Sequence, residues 1–385
     1  MSKAAFTEIT NFDGKDFNDA DFNGAEFSDK VTFRNARFTG RTNFHGAIFK
    51  GVADFTGARF QGEADFSGAA FNHDAHFSEI EFSGDSDFSN TSFHAWALFS
   101  KSRFGHGAAF RGANFRGSAR FTAVDFAADA DFRESRFIAY ADFPDAAFHG
   151  KALFAGAKLE CKSIYKNVTF AGDADFSGAR CTHPVNFSAA TFGGAALFEG
   201  VVFLQFVDFK EAQLRSVFVL SPPAGSEGLA PEIRFESVTL AQPDKVRFSN
   251  ISFEKITLMG TNVAGIHFEN PKWPMKGLLN STKRSVVFDE IQKDTPDPQK
   301  LAQLYKDIRA NLKKADTTRD LGDLLYSEME VRRKQRRDGN DRLYFFRRYF
   351  SPYTLLWLTC GYGARPLRAI AAITLAGAVF WSMQP

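Results

Sequence analysis

Residues 53 to 77 read ADFTGARFQGEADFSGAAFNHDAHF. Phe recurs at 55, 60, 66, 71 and 77, at intervals that alternate between five and six residues, and Ala stands two residues before each of them. In extended chain, positions two apart point the same way. The Ala and the Phe of each unit therefore share one interior, and the residue between them, Asp54, Arg59, Asp65 or His76, faces solvent. A unit this short cannot fold alone, so it must form one side of a coil that stacks on the next.

The pattern extends in both directions with an 11-residue period. One series runs 22, 33, 44 and onward to 209, where only Tyr165 is not Phe; the interleaved series runs from 27 to 203, where only Leu159 and Cys181 depart. These ladders explain 46 Phe against 8 Tyr and 4 Trp, a ratio foreign to ordinary globular packing. Phe66, Phe88, Phe110, Phe132 and Phe154 fall at the centre of the predicted core. Gly24, Gly40, Gly57, Gly68 and Gly112, each two residues after a Phe, are expected at corners with positive φ. The stretch 221–231, with Pro222, Pro223 and Pro231, interrupts the register as one loop. Phe235, Leu240, Phe248, Phe253, Leu258, Val263 and Phe268 then resume it, with Ile251, Ile256 and Ile266 in the small-residue slot.

Units such as A-D-F-S-G-A and A-R-F resemble the pentapeptide-repeat family over roughly residues 6 to 270. The resemblance implies an all-β solenoid, a right-handed parallel quadrilateral β-helix with four units per coil. The alternating spacing is a departure from the strict five-residue repeat and gives about 22 residues per coil. Some members of the family resemble duplex DNA in shape and negative charge and bind DNA gyrase, so a gyrase-binding mimic is the alternative reading of function.

Catalysis needs polar groups that converge in a cleft, and a rod packed with Phe offers none. The Asp residues just before register Phe form mixed ladders. One reads Asn43, Asp65, Asp87, Ala109, Asp131, Leu153, Asp175, Leu197; the other reads Asp54, His76, Leu98, Arg120, Asp142, Ile164, Asn186, Asp208. Both are read as solvated faces. His73 and His76 lack a partner at metal-ligand spacing, and no phosphate-binding, dinucleotide or nucleophile-elbow motif occurs. No enzyme activity, cofactor or metal is expected. Lys101, Arg103, Arg111, Arg116 and Arg120 come without an acidic residue among them, which would interrupt a DNA-like surface, and no basic stripe runs along the repeats to bind nucleic acid directly.

The two ends of the chain differ in charge: residues 1–270 hold 26 Lys/Arg and 33 Asp/Glu, residues 271–385 hold 21 and 12. Cys161, Cys181 and Cys360 are odd in number and far apart, which favours a reducing compartment, and the N-terminus lacks the apolar run of a signal peptide. Beyond the solenoid of residues 1–270, prolines mark a linker over 271–298. A helical hairpin is expected over 299–337, with Leu301, Leu304, Tyr305, Ile308 and Leu312 on one apolar stripe and Leu321, Leu324, Leu325 and Met329 on the other. It is read as a cap over the open end of the solenoid.

Residues 338–366 are basic and aromatic, and Arg347, Arg348, Tyr349, Phe350, Trp357, Arg365 and Arg368 suit an anionic membrane interface. Residues 367–385 are apolar enough for a short transmembrane helix. Cys360 to Gly363 resembles the end of a potassium-channel filter, which leaves a cytoplasmic domain of a pore as a further alternative. The sequence thus points to a non-enzymatic scaffold, tethered to the inner membrane with its rod in the cytoplasm, that offers an extended surface to a protein partner or to its own copies. Phe110→Asp should cost several kcal/mol by burying a charge, whereas Asp131→Ala should be nearly silent; chemical denaturation of the two variants checks the register.

Overall fold

The computed structural model describes residues 4–225, 231–277, 283–292, 297–315, 320–335 and Thr374. Ala5–Phe6, Thr10–Asn11, Asp16–Phe17 and Ala20–Asp21 open four parallel sheets of 10, 12, 11 and 12 strands, here the first to fourth faces. The chain is a right-handed parallel β-solenoid of about 12 turns followed by two helices. Ala53 pairs with Ala75 and Ala75 with Ala97, so each side chain sits over its counterpart 22 residues earlier. At about 4.8 Å per coil the rod is about 55 Å long.

Pairing in register stacks the rings. Phe44, Phe66, Phe88, Phe110, Phe132 and Phe154 lie centroid to centroid at 4.8, 4.8, 5.0, 4.7 and 4.8 Å. The ladder of the opposite face meets them edge-on, as Phe77 meets Phe66 at 5.5 Å and Phe99 meets Phe110 at 5.5 Å. All of these rings are fully buried. Burial contributes roughly 1.5 to 3 kcal/mol per ring, with about 0.5 to 1.5 kcal/mol more for the aromatic geometry.

Two kinds of corner join the faces. Gly57 and Gly68 stand in the left-handed region, with φ of 69° and 66°, as expected. Gly40 does not, and there the expectation needs correcting. It lies on the other kind of corner, where a Cβ would strike the Asn18 carbonyl and the Asp19 carboxylate of the coil before; at Gly84, directly in line, a Cβ would stand 2.6 Å from the Gly62 carbonyl oxygen. Glycine is required at these corners for coil-to-coil contact, not for positive φ.

After Val202–Phe203 the first sheet stops, and the chain passes from Phe218–Ser221 on the fourth face to Ile233–Arg234 on the second. The other faces continue through Ile233, Phe235, Phe248 and Phe268, and Phe253 fills the first-face side of the resumed coil; all five are buried. Upstream, Tyr165 occupies a fully buried ladder position and its hydroxyl has no hydrogen-bond partner. The neighbouring first-face ladder thins there from Phe137 to Leu159 and Cys181. Burial pushes the Cys181 thiol up to about 12 and the Cys161 thiol up to about 11, so neither is a thiolate near neutral pH.

The stretch 271–298 holds more than a bare linker. Met275–Lys276 pairs antiparallel with Arg284–Ser285, and Val286 and Val287 are buried. Helix α1, Pro298–Lys314, starts on an Asp297 cap that accepts Gln299 N–H at 2.8 Å, and helix α2 is Leu321–Gln335. Leu301, Leu304, Tyr305, Ile308, Leu312 and Leu324 join one continuous core with Phe253, Phe268 and Trp273, so the hairpin does cap the solenoid. On α2, Leu321, Leu325 and Met329 are only half-buried, and Tyr326, Ser327, Glu328 and Glu330 are buried beside Leu324.

Polar contacts fix the cap in place. Asn311 Oδ1 accepts Gly265 N–H at 2.9 Å, and the amide of Asn311 donates to the Val263 carbonyl at 2.6 Å. Glu290 pairs with Arg284 at 2.8 Å and Lys276 at 3.0 Å and accepts the Tyr305 hydroxyl at 2.5 Å. Asp289 reaches the last coil, where it accepts Leu258 N–H at 3.1 Å and Met259 N–H at 2.9 Å. Among the described residues no helix is long and apolar enough to cross a membrane. The expected transmembrane helix over 367–385 lies outside them except for Thr374, as do the interface residues Arg347, Arg348, Tyr349, Phe350, Trp357, Arg365 and Arg368.

Two outcomes follow. Tyr165→Phe removes a buried hydroxyl that has no partner and should stabilise the rod by about 1 kcal/mol, read as a higher denaturation midpoint. Burial pushes the Asp289 carboxyl up to about 6 from an ordinary 3.8, against the pull of the Leu258 and Met259 N–H groups. The folded cap thus binds a proton more tightly than the unfolded chain. Its contribution is fully present below pH 3.8 and is lost as pH rises through about 6, an effect of order 3 kcal/mol. Asp289→Asn should flatten that part of the pH profile.

Candidate functional site

Outward residues decide what this molecule can do, because Ala and Phe fill the interior. The fourth face brings Asp65 over Asp87 in register, then Ala109, then Asp131. Glu63, Asp85 and Asp129 join them from the adjoining corner, around a shallow groove floored by Gly107 and Ala109. Each Asp has local work: Asp65 Oδ1 accepts Ser67 N–H at 2.9 Å and Asp87 Oδ1 accepts Ser89 N–H at 2.7 Å. Asp85 accepts Gly107 N–H at 2.9 Å and Asp129 accepts Lys151 N–H at 2.8 Å, each on the next coil. Asp65 and Asp87 thus close corners through Asx turns, whereas Asp85 and Asp129 tie one coil to the next.

Asp131 shows that the solvated-face reading was incomplete. Its Oδ1 accepts Arg133 N–H at 3.0 Å, and the Arg133 guanidinium lies 2.6 Å from Oδ2. Burial raises its carboxyl, but the Arg133 hydrogen bonds outweigh this and hold it below the usual carboxylate range. Truncation at Asp131 therefore removes a corner contact and costs on the order of 1 kcal/mol, not the near silence expected from the sequence. Asp54, on the second face, is buried and paired with Arg34 at 2.5 Å.

The basic run from Lys101 to Arg120 also looks different in space. Lys101 lies 3.8 Å from Glu79, Arg103 3.7 Å from Asp125, Arg111 2.9 Å from Glu134 and Arg120 3.7 Å from Asp142. Carboxylates one coil away neutralise most of what reads in sequence as an uncompensated patch. A basic stripe exists elsewhere: on the first face, Arg136, Lys158 and Arg180 stack in consecutive coils. Linear reading missed it because its members are 22 residues apart; tabulating the sequence at that step reveals it.

His73 stands on a corner and His76 on the second face. Among the described residues no group of three or more His, Cys, Asp or Glu could hold a metal ion. The buried polar cluster of the cap, Glu290, Arg284 and Tyr305, is internally matched. Burial first raises the Glu290 carboxyl, but Arg284, Tyr305 and Lys276 bring it below its ordinary value, while burial and Glu290 push the Tyr305 hydroxyl well above its own. Such a network locks the cap in place.

Comparison with known proteins agrees with the geometry. A family model described as pentapeptide repeats (9 copies) matches residues 2–48, 33–81, 44–92, 68–113, 110–158 and 165–213, together more than half of the chain. No curated protein and no solved structure matches it. With the repeat visible in sequence, the four-sided coil in space and the family model over most of the rod, the chain belongs to the pentapeptide-repeat family.

Proposed function

We propose that this protein is a non-enzymatic, membrane-tethered scaffold that holds a rigid β-helical surface toward a protein partner at the cytoplasmic face of the inner membrane. The observation that supports this reading best is the division of labour along the rod. Interior positions go to Ala and Phe, and many outward carboxylates close corners or pair with cations on adjacent coils. That leaves a long, stiff surface suited to binding. The tether rests on the sequence of residues 338–385, where Arg and aromatic residues precede an apolar run.

A second reading has an observation in its favour. The acidic groove of Glu63, Asp65, Asp85, Asp87, Asp129 and Asp131, beside a basic run matched by carboxylates, suits a soluble gyrase-binding mimic better than the linear sequence does. Fractionation separates the two. Cells expressing the full chain, or a version ending at Asn340, are lysed and their membranes washed with high salt and then detergent. The scaffold reading expects the full chain to stay until detergent and the shorter version to be soluble. Release by salt would leave only a peripheral basic contact. A fully soluble full chain that inhibits gyrase supercoiling would favour the mimic.

A further inference from the structure

Cross-coil neighbours of opposite charge recur along the rod, as in Arg59 with Glu81 at 3.7 Å and Arg103 with Asp125 at 3.7 Å. The first face breaks this habit. Arg136, Lys158 and Arg180 stack cation on cation in register, an arrangement that is unfavourable unless something anionic lies over it. Arg136 is matched by Glu160 at 2.8 Å, but Lys158 and Arg180 are exposed and form no ion pair among the described residues. Arg116 and Lys162, on the corner that leads to the second face, are likewise exposed and without an ion pair there.

That same corner holds the rod's most exposed aromatic side chain. Trp96 is 48% exposed on a surface that is otherwise largely polar. The Arg120 guanidinium lies 5.6 Å from its ring centroid, and Arg120 is itself held by Asp142 at 3.7 Å. Ser118 pairs in register with Tyr140, and Trp96 precedes Ala97, which pairs with Ala119. Trp96, Ser118 and Tyr140 therefore form one column, with the two aromatic residues about 10 Å apart across two coils. Trp, Tyr and Arg are the residue types that dominate interface energetics when they become buried.

We infer that the edge between the first and second faces, from Trp96 to Arg180, is a docking surface for an acidic amphipathic helix of a partner protein. Its apolar stripe would cover Trp96 and Tyr140, and its Asp and Glu side chains would meet Arg116, Lys158, Lys162 and Arg180. The proposal rests on the scaffold reading and names the chemistry of its partner. Charge complementarity selects the occupant: carboxylates on consecutive turns of a helix recur about every 5.4 Å, close to the coil spacing of about 4.8 Å, and a helix also supplies the apolar stripe that a bare polyanion lacks.

The test uses the full chain in phosphatidylcholine nanodiscs, free of detergent, and four fluorescent probes: a helical peptide with Leu on one face and Glu on the other, the same peptide with Ser for Leu, a short DNA duplex, and phosphatidylserine vesicles. Fluorescence anisotropy reads the first three, and flotation reads the vesicles. Variants are Trp96→Ala and the pair Lys158→Glu with Arg180→Glu, all at exposed positions, with circular dichroism to verify an unchanged fold. The Leu/Glu peptide should bind best, and each variant should weaken it by about tenfold or more. Failure of that peptide to bind, binding that ignores both variants, or DNA or vesicles binding as well with the same dependence would overturn the proposal. Fractionation is scored separately, so losing this surface would leave the tether standing, and a soluble chain that binds the peptide through Trp96 would remove the tether alone.

Discussion

Two phenyl rings one coil apart are held about 4.8 Å between centroids by the backbones that carry them, and the rest of this molecule depends on that spacing. Strand pairing sets the distance, and the distance lets identical side chains stack without gaps. Each ring is then closed from the far face by another that meets it edge-on, as Phe77 meets Phe66. A strand of two residues has too few backbone bonds to be stable alone. Here dozens of them persist because most are anchored by a ring in a stacked ladder, so the energetic unit is the column and not the strand.

This constraint passes outward to the surface. Identical positions recur at every coil, so any outward residue becomes a ladder by repetition, and like charges collide unless the sequence alternates them. Arg103 over Asp125 and Arg120 over Asp142 show the alternation. Asp65 over Asp87 and Lys158 over Arg180 are places where it is given up. These two places lie on different faces: Asp65 and Asp87 each close a corner of their own coil, while Lys158 and Arg180 form no ion pair among the described residues. The end of the rod is handled differently: Trp273 and, from α1, Tyr305 extend the aromatic core, while Asp289 and, from α1, Asn311 cover the last coil.

Much of this was legible in the sequence, for a physical reason. A 22-residue coil writes its interior into the sequence at fixed intervals, and the register from Phe22 to Phe209 and the resumed residues Phe235 to Phe268 read directly. The corners were legible only in part. Gly57 and Gly40 look alike in sequence, yet the first is governed by φ and the second by the coil beneath it. The role of Asp131 was hidden because an Asx turn is a local hydrogen bond and not a pattern of hydrophobicity. The first-face cation ladder and the pairing of Lys101 with Glu79 were hidden because they join residues a full coil apart. Residues 275 to 290 read as a linker, since an antiparallel ribbon of two-residue strands leaves no periodic trace.

The most direct test of a single core that runs unbroken from the first coils into the hairpin is native-state hydrogen exchange of the full chain, followed peptide by peptide. A continuous ladder predicts that the strands from Phe27 to Phe268 and helix α1 exchange together, by one cooperative opening, across the 221–231 interruption. Early exchange of everything after Ser221, with the coils before it still protected, would contradict a single core and divide the molecule into a repeat rod and an independent C-terminal unit.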